Sequence, residues 1–394
     1  MITSIFIDNF KSFVNFQIAL KPITVFVGNN GCGKSSFLQA LDFLSCIIRN
    51  DFSFFLEQRQ LKVENIKSKQ LSSKRDITFS VQFSFPKINK KLLWKIVIGT
   101  NATKNAMFLV SESIENISTE QKILEYKLGE TSYISDEKGS KKVLEGLNSL
   151  TFTSSVLRMI NFPNDSAFSE FNQIKDFLLN SDAFDLLNTD SMRQGSRSVS
   201  QTIGNKGKQI ASFIKSLSAE QKEKLNKKIN SIYPSIQKID TKTVKLAGWT
   251  SLIAEEKFKN NIKLSSYDLS DGTLRIIAFL ALTEMKKSSG FVLLDEIENG
   301  INVSNAKQII AYLTDYAEKN NRQLIVTTHS TVFLDYLDAE SIAYMYKNEQ
   351  TGDSKCSYIF ENEEFKDKLQ YLYPGEILLN ESPSDIISHI LAGA

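Results

Sequence analysis

Apolar and polar residues alternate at the start of the chain. Ile5, Ile7 and Phe10 are followed by Phe16, Ile18 and Leu20, and then by the unbroken run Ile23-Thr-Val-Phe-Val27. Period-two alternation predicts half-buried strands, and a continuous apolar run predicts a strand covered on both faces. A glycine-rich turn comes next. Behind it, Phe37, Leu38, Leu41, Leu44 and Ile48 fall at helical spacing between Ser35 and about Arg49. Residues 76 to 135 return to strand-like runs over Ile77 to Phe85, Leu92 to Ile98 and Ala106 to Val110, with Pro86 to Lys91 as a hairpin turn. These runs predict an antiparallel sheet.

Residues 136 to 262 change character. Ser, Asn, Lys and Gln rise, and helical patterns run over 167 to 188 and 208 to 232, with a mobile segment expected near Thr189 to Gly207. There are no sustained heptads, so no long coiled coil is expected. From Leu264 strands and helices alternate, as a parallel sheet requires. After about Ile342 short strands and one helix close the chain. The pattern predicts an α/β protein in three parts: 1–135 with the glycine turn and an antiparallel β-subdomain, 136–262 as a mostly helical insertion, and 263–394 completing a mixed central sheet.

The chain has 394 residues, 42% of them hydrophobic, which is enough for a large core and two or three domains. Its net charge of +2 identifies no partner, so a nucleic-acid site has to be a local patch. Cys32, Cys46 and Cys356 are scattered, which fits neither a disulfide framework nor a zinc spacing and suits a reducing cytosol. The N-terminus has no basic region leading into an apolar one, and no long uncharged apolar stretch occurs, so neither a signal peptide nor a membrane span is expected.

The strongest chemical signal is Gly28-Asn29-Asn30-Gly31-Cys32-Gly33-Lys34-Ser35, which fits G-x-x-x-x-G-K-[ST] at every position. Glycines let the backbone wrap a phosphate with successive N–H groups pointing inward, and the following helix adds its positive end. Lys34 is placed to reach the β- and γ-phosphates of ATP, Ser35 to ligate Mg2+, and Ser36 to complete the nucleotide-binding set at the start of the helix.

Three further signals lie downstream. Phe291-Val-Leu-Leu294 is a buried-strand pattern ending in Asp295 and Glu296. Such an Asp holds magnesium in P-loop enzymes, and the next carboxylate orients or deprotonates the attacking water, with Glu298 a competitor for that role. Ser270-Asp271-Gly272, ahead of a helical run, is either a second anion site or a plain N-cap. If it is an anion site, its client is an ATP held by another subunit. His329 ends the apolar run from Gln323 and stands where an imidazole can meet a γ-phosphate or the attacking water. His389 reads as structural.

Taken in order, these motifs resemble the ABC-type ATPase head of the SMC/RecF-like family. Gly28–Ser35 matches its Walker A, Leu269–Thr273 its signature loop, Phe291–Glu296 its Walker B and His329 its switch histidine. Asp295-Glu-Ile-Glu-Asn-Gly300 and Leu274-Arg275 are similar to a compact bacterial branch named AAA. The resemblance implies two heads sandwiching two ATP molecules, with Ser270 and Gly272 of one chain on the γ-phosphate held by the other. Asp271 departs from the family, which has glycine there, and Asn302-Val303 replaces a His-Pro. The family's Q-loop glutamine has three candidates: Gln58, Gln60 and Gln82.

The resemblance implies a homodimer or higher homo-oligomer that controls a separately encoded effector such as a nuclease, in anti-phage defence or DNA repair. The alternatives are a transporter's nucleotide-binding subunit, a self-contained nuclease and a non-hydrolysing scaffold. Transporter heads carry the signature much nearer the P-loop, and the stretch after His329 is short for a nuclease domain. Lys87, Lys90, Lys91, Lys222, Lys224, Lys227 and Lys228 are candidates for nucleic-acid phosphates, but Glu220 and Glu223 among them favour a solvated mixed-charge face.

Overall fold

The structure is a computed structural model. It describes residues 1–394 except 71–74, 86–89, 131, 136–140, 144–149, 161–168, 187–188, 198, 244–247, 259–261 and 393–394. The hairpin turn expected at Pro86–Lys91, with its Lys87, falls largely outside the described residues.

At the centre lies a six-stranded sheet. Its strands run in the order Asp182–Phe184, Phe291–Leu294, Gln323–Thr327, Ile23–Val27, Ile342–Lys347 and Ser354–Tyr358. The first five pair in parallel and the last is antiparallel. Phe291–Leu294 and Gln323–Thr327 are buried at every position, as expected of parallel strands covered on both faces. Alternation then divides each strand between two cores. Phe26, Ile325, Phe291 and Leu293 face one core, with Phe37, Leu41 and Phe43 of the helix Lys34–Arg49. Val25, Val27, Val326, Val292 and Leu294 face the other, with the helices Asp271–Leu282 and Val303–Lys319.

The first core continues into an eight-stranded antiparallel sheet. Ile2–Asp8 sits between Phe16–Ala19 and Ile77–Phe85, and Lys90–Asn101, Ala106–Asn116 and Gln121–Lys127 follow. Many of the phenylalanines meet here. Phe10 packs edge-on to Phe79 at 5.3 Å between ring centres, and Phe43 edge-on to Phe55 at 5.0 Å. Aromatic rings in this arrangement add to the burial energy of their surface.

The stretch 136–262 differs in part from its sequence pattern. The helical pattern over 167–188 is a helix only over Ser169–Leu179, and it gives way to the strand Asp182–Phe184, which joins the edge of the central sheet beside Phe291–Leu294. Arg322 fixes this junction, with its side chain fully buried. It donates to the carbonyls of Asn180 and Phe291 and to Asp182 Oδ2. The strands Ile236–Thr243 and Thr250–Glu256 add a small antiparallel sheet with Lys263–Ser265. Helices Ile210–Ser216 and Ala219–Ile232 match the second helical pattern. The segment expected to be mobile places Met192 and Ile203 in the second core and leaves Val199 84% exposed.

Glu112 ties the antiparallel sheet to the chain that follows it. The side chain is fully buried and accepts from Trp94 Nε1 (2.8 Å), Ser155 Oγ (2.6 Å) and the Val156 amide (2.6 Å). Burial raises its carboxyl above the ordinary 4.5, against hydrogen bonds that favour the anion. A raised folded-state value means the folded protein holds this proton longer than the unfolded chain does. Stability from this group is therefore present below the unfolded value and is lost as pH rises through the folded one. Glu112→Gln, measured by urea unfolding against the wild type, is expected to gain relative stability as pH rises above about 4.3. A difference flat in pH would contradict this. Glu112→Ala orphans three donors and is expected to cost about 3 kcal/mol.

Candidate active site

Three neighbouring parallel strands end at one edge of the sheet. Gly28, Asp295 and Thr328 follow directly on Ile23–Val27, Phe291–Leu294 and Gln323–Thr327, so they emerge side by side. The carboxyl ends of parallel strands are where α/β proteins build their sites.

The Gly28–Ser35 loop depends on its glycines. Gly28 has φ +137°, and a Cβ there would lie 2.0 Å from the Met345 carbonyl oxygen. Gly33 has φ +119°, and its Cβ would lie 2.5 Å from Ser354 Oγ. Both positions combine left-handed backbone with no space, so only glycine fits. The helix Lys34–Arg49 begins directly after, so its free N–H groups face the loop. Lys34 is buried within the loop, and its ammonium donates to the carbonyls of Gly28 (2.8 Å) and Asn29 (3.0 Å). Cys32 is buried beneath it, with Sγ 3.7 Å from Nζ.

A chain of hydrogen bonds crosses the three strand ends. Ser35 Oγ donates to Asp295 Oδ1 at 3.2 Å, and Thr327 Oγ1 donates to the same oxygen at 2.5 Å. Thr327 Oγ1 in turn accepts from the Glu296 amide at 2.9 Å. The sequence reading missed Thr327. Its signal was present: a hydroxyl ending an otherwise apolar strand and fully buried there. Ser35 and Asp295 together offer a hydroxyl and a carboxylate, both oxygen donors. That set fits Mg2+, which takes one or two protein oxygens beside phosphate oxygens and water. No group of three or more His, Cys, Asp or Glu able to hold a metal occurs among the described residues.

Glu296 stands at φ +47°, a left-handed conformation uncommon outside glycine, which costs roughly 1–3 kcal/mol. Its backbone N–H donates to Thr327 Oγ1 and holds it there, and Asn299 Nδ2 donates to its Oε2 at 3.3 Å. Glu298 Oε1 accepts from the His329 amide at 2.6 Å, while its Oε2 is buried without a hydrogen-bond partner. His329 is exposed, and it lines a cavity of about 300 Å3 with Gly28, Asn29, Asn30, Thr328 and Tyr344.

Ser270 and Gly272 stand apart from that cavity. Ser270 caps the helix Asp271–Leu282, accepting from the Thr273 amide at 3.1 Å. Gly272 packs on the loop behind the acidic pair: a Cβ there would meet the Gly300 carbonyl oxygen at 2.2 Å. Asp271 turns back onto its own chain. It accepts from Thr189 Oγ1 and from Arg193 Nη2, the latter at 2.5 Å, and these hydrogen bonds hold its carboxyl below the usual range.

Gln58 and Gln60 lie exposed around the end of the helix Phe52–Gln58, and Gln82 pairs between Ser4 and Leu93 in the antiparallel sheet. None of the three has a hydrogen bond to the loop or to Asp295 among the described residues. Four of the candidate nucleic-acid lysines pair with acids: Lys224 with Glu220, Lys227 with Glu223, Lys228 with Glu284 and Lys90 with Glu170. Their geometry is a mixed-charge face. His389 pairs with Glu364 at 2.7 Å in the last helix, away from the site. No helix among the described residues is long and apolar enough to cross a membrane.

Residues 23–335 match the protein family described as "AAA domain, putative AbiEii toxin, Type IV TA system". The chain is 21% identical over 378 residues to the "Retron Vc95 probable ATPase" of Vibrio cholerae, covering 85% of this chain and 71% of that protein. It is 35% identical over 101 residues to the chromosome partition protein Smc of Fusobacterium nucleatum, covering 25% of this chain and only 8% of Smc. Among solved structures it shares its fold with an Smc head bound to the C-winged helix domain of ScpA. The TM-score is 0.54 at 14% identity, covering 90% of this chain and 96% of that one. A Pyrococcus furiosus Smc head bound to the C-terminal domain of ScpA gives TM-score 0.52 at 12% identity, covering 94% and 99%.

Lys34→Ala removes the ammonium from the loop without filling it. The variant is expected to lose ATP affinity by at least about a hundredfold in equilibrium titration while keeping its melting temperature, roughly the 3 kcal/mol of a charge-assisted contact. Retained affinity would contradict the phosphate-site reading.

Proposed function

The chain belongs to the AAA-domain family named for a putative AbiEii toxin, an SMC-like group of P-loop ATPases, and from that premise we propose that it hydrolyses ATP as a nucleotide-gated dimer. The loop Gly28–Ser35, with Ser36 behind it, cradles the phosphates of ATP, and Lys34 exchanges its carbonyl partners for β- and γ-phosphate oxygens. Ser35 and Asp295 would hold a Mg2+, which would neutralise phosphate charge. Glu296, pinned in its left-handed conformation, is the general base for the attacking water, and His329, on the cavity that Gly28, Asn29 and Asn30 also line, meets the γ-phosphate.

One observation carries the dimer: the placement of Ser270 and Gly272. They form a helix N-terminus able to take an anion, yet Gly272 packs on their own Gly300 loop and neither residue lines the cavity beside Gly28–Asn30. The ATP they meet is then the one held by a second copy. The family description names a toxin–antitoxin system, and one relative is a retron ATPase. Both support a component that governs a separate effector, such as a nuclease, in anti-phage defence. The motifs serve equally in a repair complex. No observation favours a transporter subunit.

Glu296→Gln keeps the shape and removes the base. It is expected to lower turnover at least about a hundredfold, within the range of general-base catalysis, and to hold the chain as a dimer with ATP and Mg2+ in sedimentation analysis. Turnover at the wild-type rate would move the base to another residue. An ATP-induced dimer in a wild type that turns over no ATP would instead mark a scaffold.

A further inference from the structure

Arg193 lies 78 residues ahead of Asp271 in sequence and yet grips the signature loop from one side. Its Nη1 donates to the carbonyls of Ser266 (2.8 Å) and Leu269 (2.8 Å), with Tyr267 O at 3.3 Å. Its Nη2 donates to Asp271 Oδ1 at 2.5 Å. Ser266 Oγ returns a bond to the Arg193 carbonyl at 2.6 Å. The guanidinium thus spans the chain from Ser266 to Asp271, both sides of the Ser270 cap. Arg193 ends the short helix Asp190–Arg193, whose first turn starts at the buried Thr189, and Thr189 Oγ1 binds the same Asp271 oxygen. Met192, beside Arg193, is buried in the second core and anchors the arm.

A planar fork with five donors suits this task. It satisfies several fixed carbonyls and a carboxylate at once, and a lysine's single ammonium cannot span them. The arrangement also gives Asp271 a role. Bare, its charge would oppose a triphosphate approaching Ser270. Bonded to Arg193 and Thr189, it is a tether with its charge compensated.

We propose that Arg193 is the positioning residue of the signature loop, fixing through Asp271 and the Ser266 and Leu269 carbonyls the angle at which Ser270 and Gly272 face the ATP of a second copy. This rests on the dimer reading above. It also links residues 189–193, in the stretch between the two halves of the ATPase head, to the nucleotide interface. A contact made on that stretch is thereby transmitted to the rate of ATP turnover.

The test measures steady-state ATPase activity as a function of protein and ATP concentration, ATP affinity at low protein concentration, and melting temperature. The variants are Arg193→Ala, Arg193→Lys, Thr189→Val and Asp271→Gly. Arg193→Ala is expected to lower kcat at least tenfold and to raise the protein concentration for half-maximal activity, with monomer ATP affinity within twofold of wild type. Arg193→Lys is expected to recover part of the loss. Asp271→Gly and Thr189→Val, which spare the carbonyl contacts, are expected to lower kcat by less than Arg193→Ala does. Arg193→Ala activity within twofold of wild type overturns the proposal. So does a rise in turnover in Asp271→Gly, which would make Asp271 a brake on closure. If Arg193→Ala does not fold, Arg193→Lys and Thr189→Val carry the test, and wild-type kcat and wild-type concentration dependence in both overturn it. A wild type whose specific activity does not depend on protein concentration and which stays monomeric with ATP sinks the dimer reading itself. A dimerising wild type with an indifferent Arg193→Ala sinks only the positioning role.

Discussion

Everything at the site hangs on the shared oxygen Oδ1 of Asp295. Ser35 reaches it from the P-loop helix and Thr327 from the neighbouring strand, and Thr327 also holds the Glu296 amide. One carboxylate thus ties the Gly28–Ser35 loop, the end of Gln323–Thr327 and the Glu296 backbone together. The contact is possible only because three parallel strands are adjacent and in register, Leu294 opposite Val326 and Val326 opposite Val25. That register in turn follows from the two cores. A one-residue slip would move Phe26 and Ile325 to the face now filled by Val25 and Val326, so the packing of the two cores holds the register.

A second constraint acts on the other side of the acidic pair. The loop from Glu296 to Gly300 carries a left-handed Glu296, a carboxylate from Glu298 on the His329 amide, and the Gly300 carbonyl against Gly272. Arg275, buried in the signature helix, donates to the Asn299 carbonyl in the same loop. The helix Asp271–Leu282, the acidic pair and the His329 amide therefore meet on one short loop.

Much of this was legible in the sequence because the information is contiguous. Gly28–Ser35 occupies eight successive positions between an apolar strand and an amphipathic helix, and Asp295-Glu296 directly ends an apolar run. The strand–helix alternation after Leu264 gave the parallel sheet by its period alone. What escaped was held by distance in sequence. Thr327 belongs to the site only because its strand neighbours Phe291–Leu294, and Arg193 meets Asp271 across 78 residues. The strand Asp182–Phe184 read as helix because it is three residues long and directly follows an amphipathic one. Ile236–Thr243 was hidden in a polar stretch, with an irregular register that breaks the period-two signal. The orientation of Asp271 could not be read at all, since it depends on that distant arginine.

The central claim is that one active site is built from two copies of the chain, and mixing two crippled chains tests it. Lys34→Ala has an intact signature loop and no working P-loop. Ser270→Arg has an intact P-loop and a blocked signature. In a mixed dimer one complete composite site forms, with its loop from the second chain and its signature from the first. The account expects each variant alone to be inactive and the mixture to regain ATPase activity, rising with the concentration of either partner. A mixture as inactive as its components, with both variants folded, would place the whole site within a single chain and contradict the account.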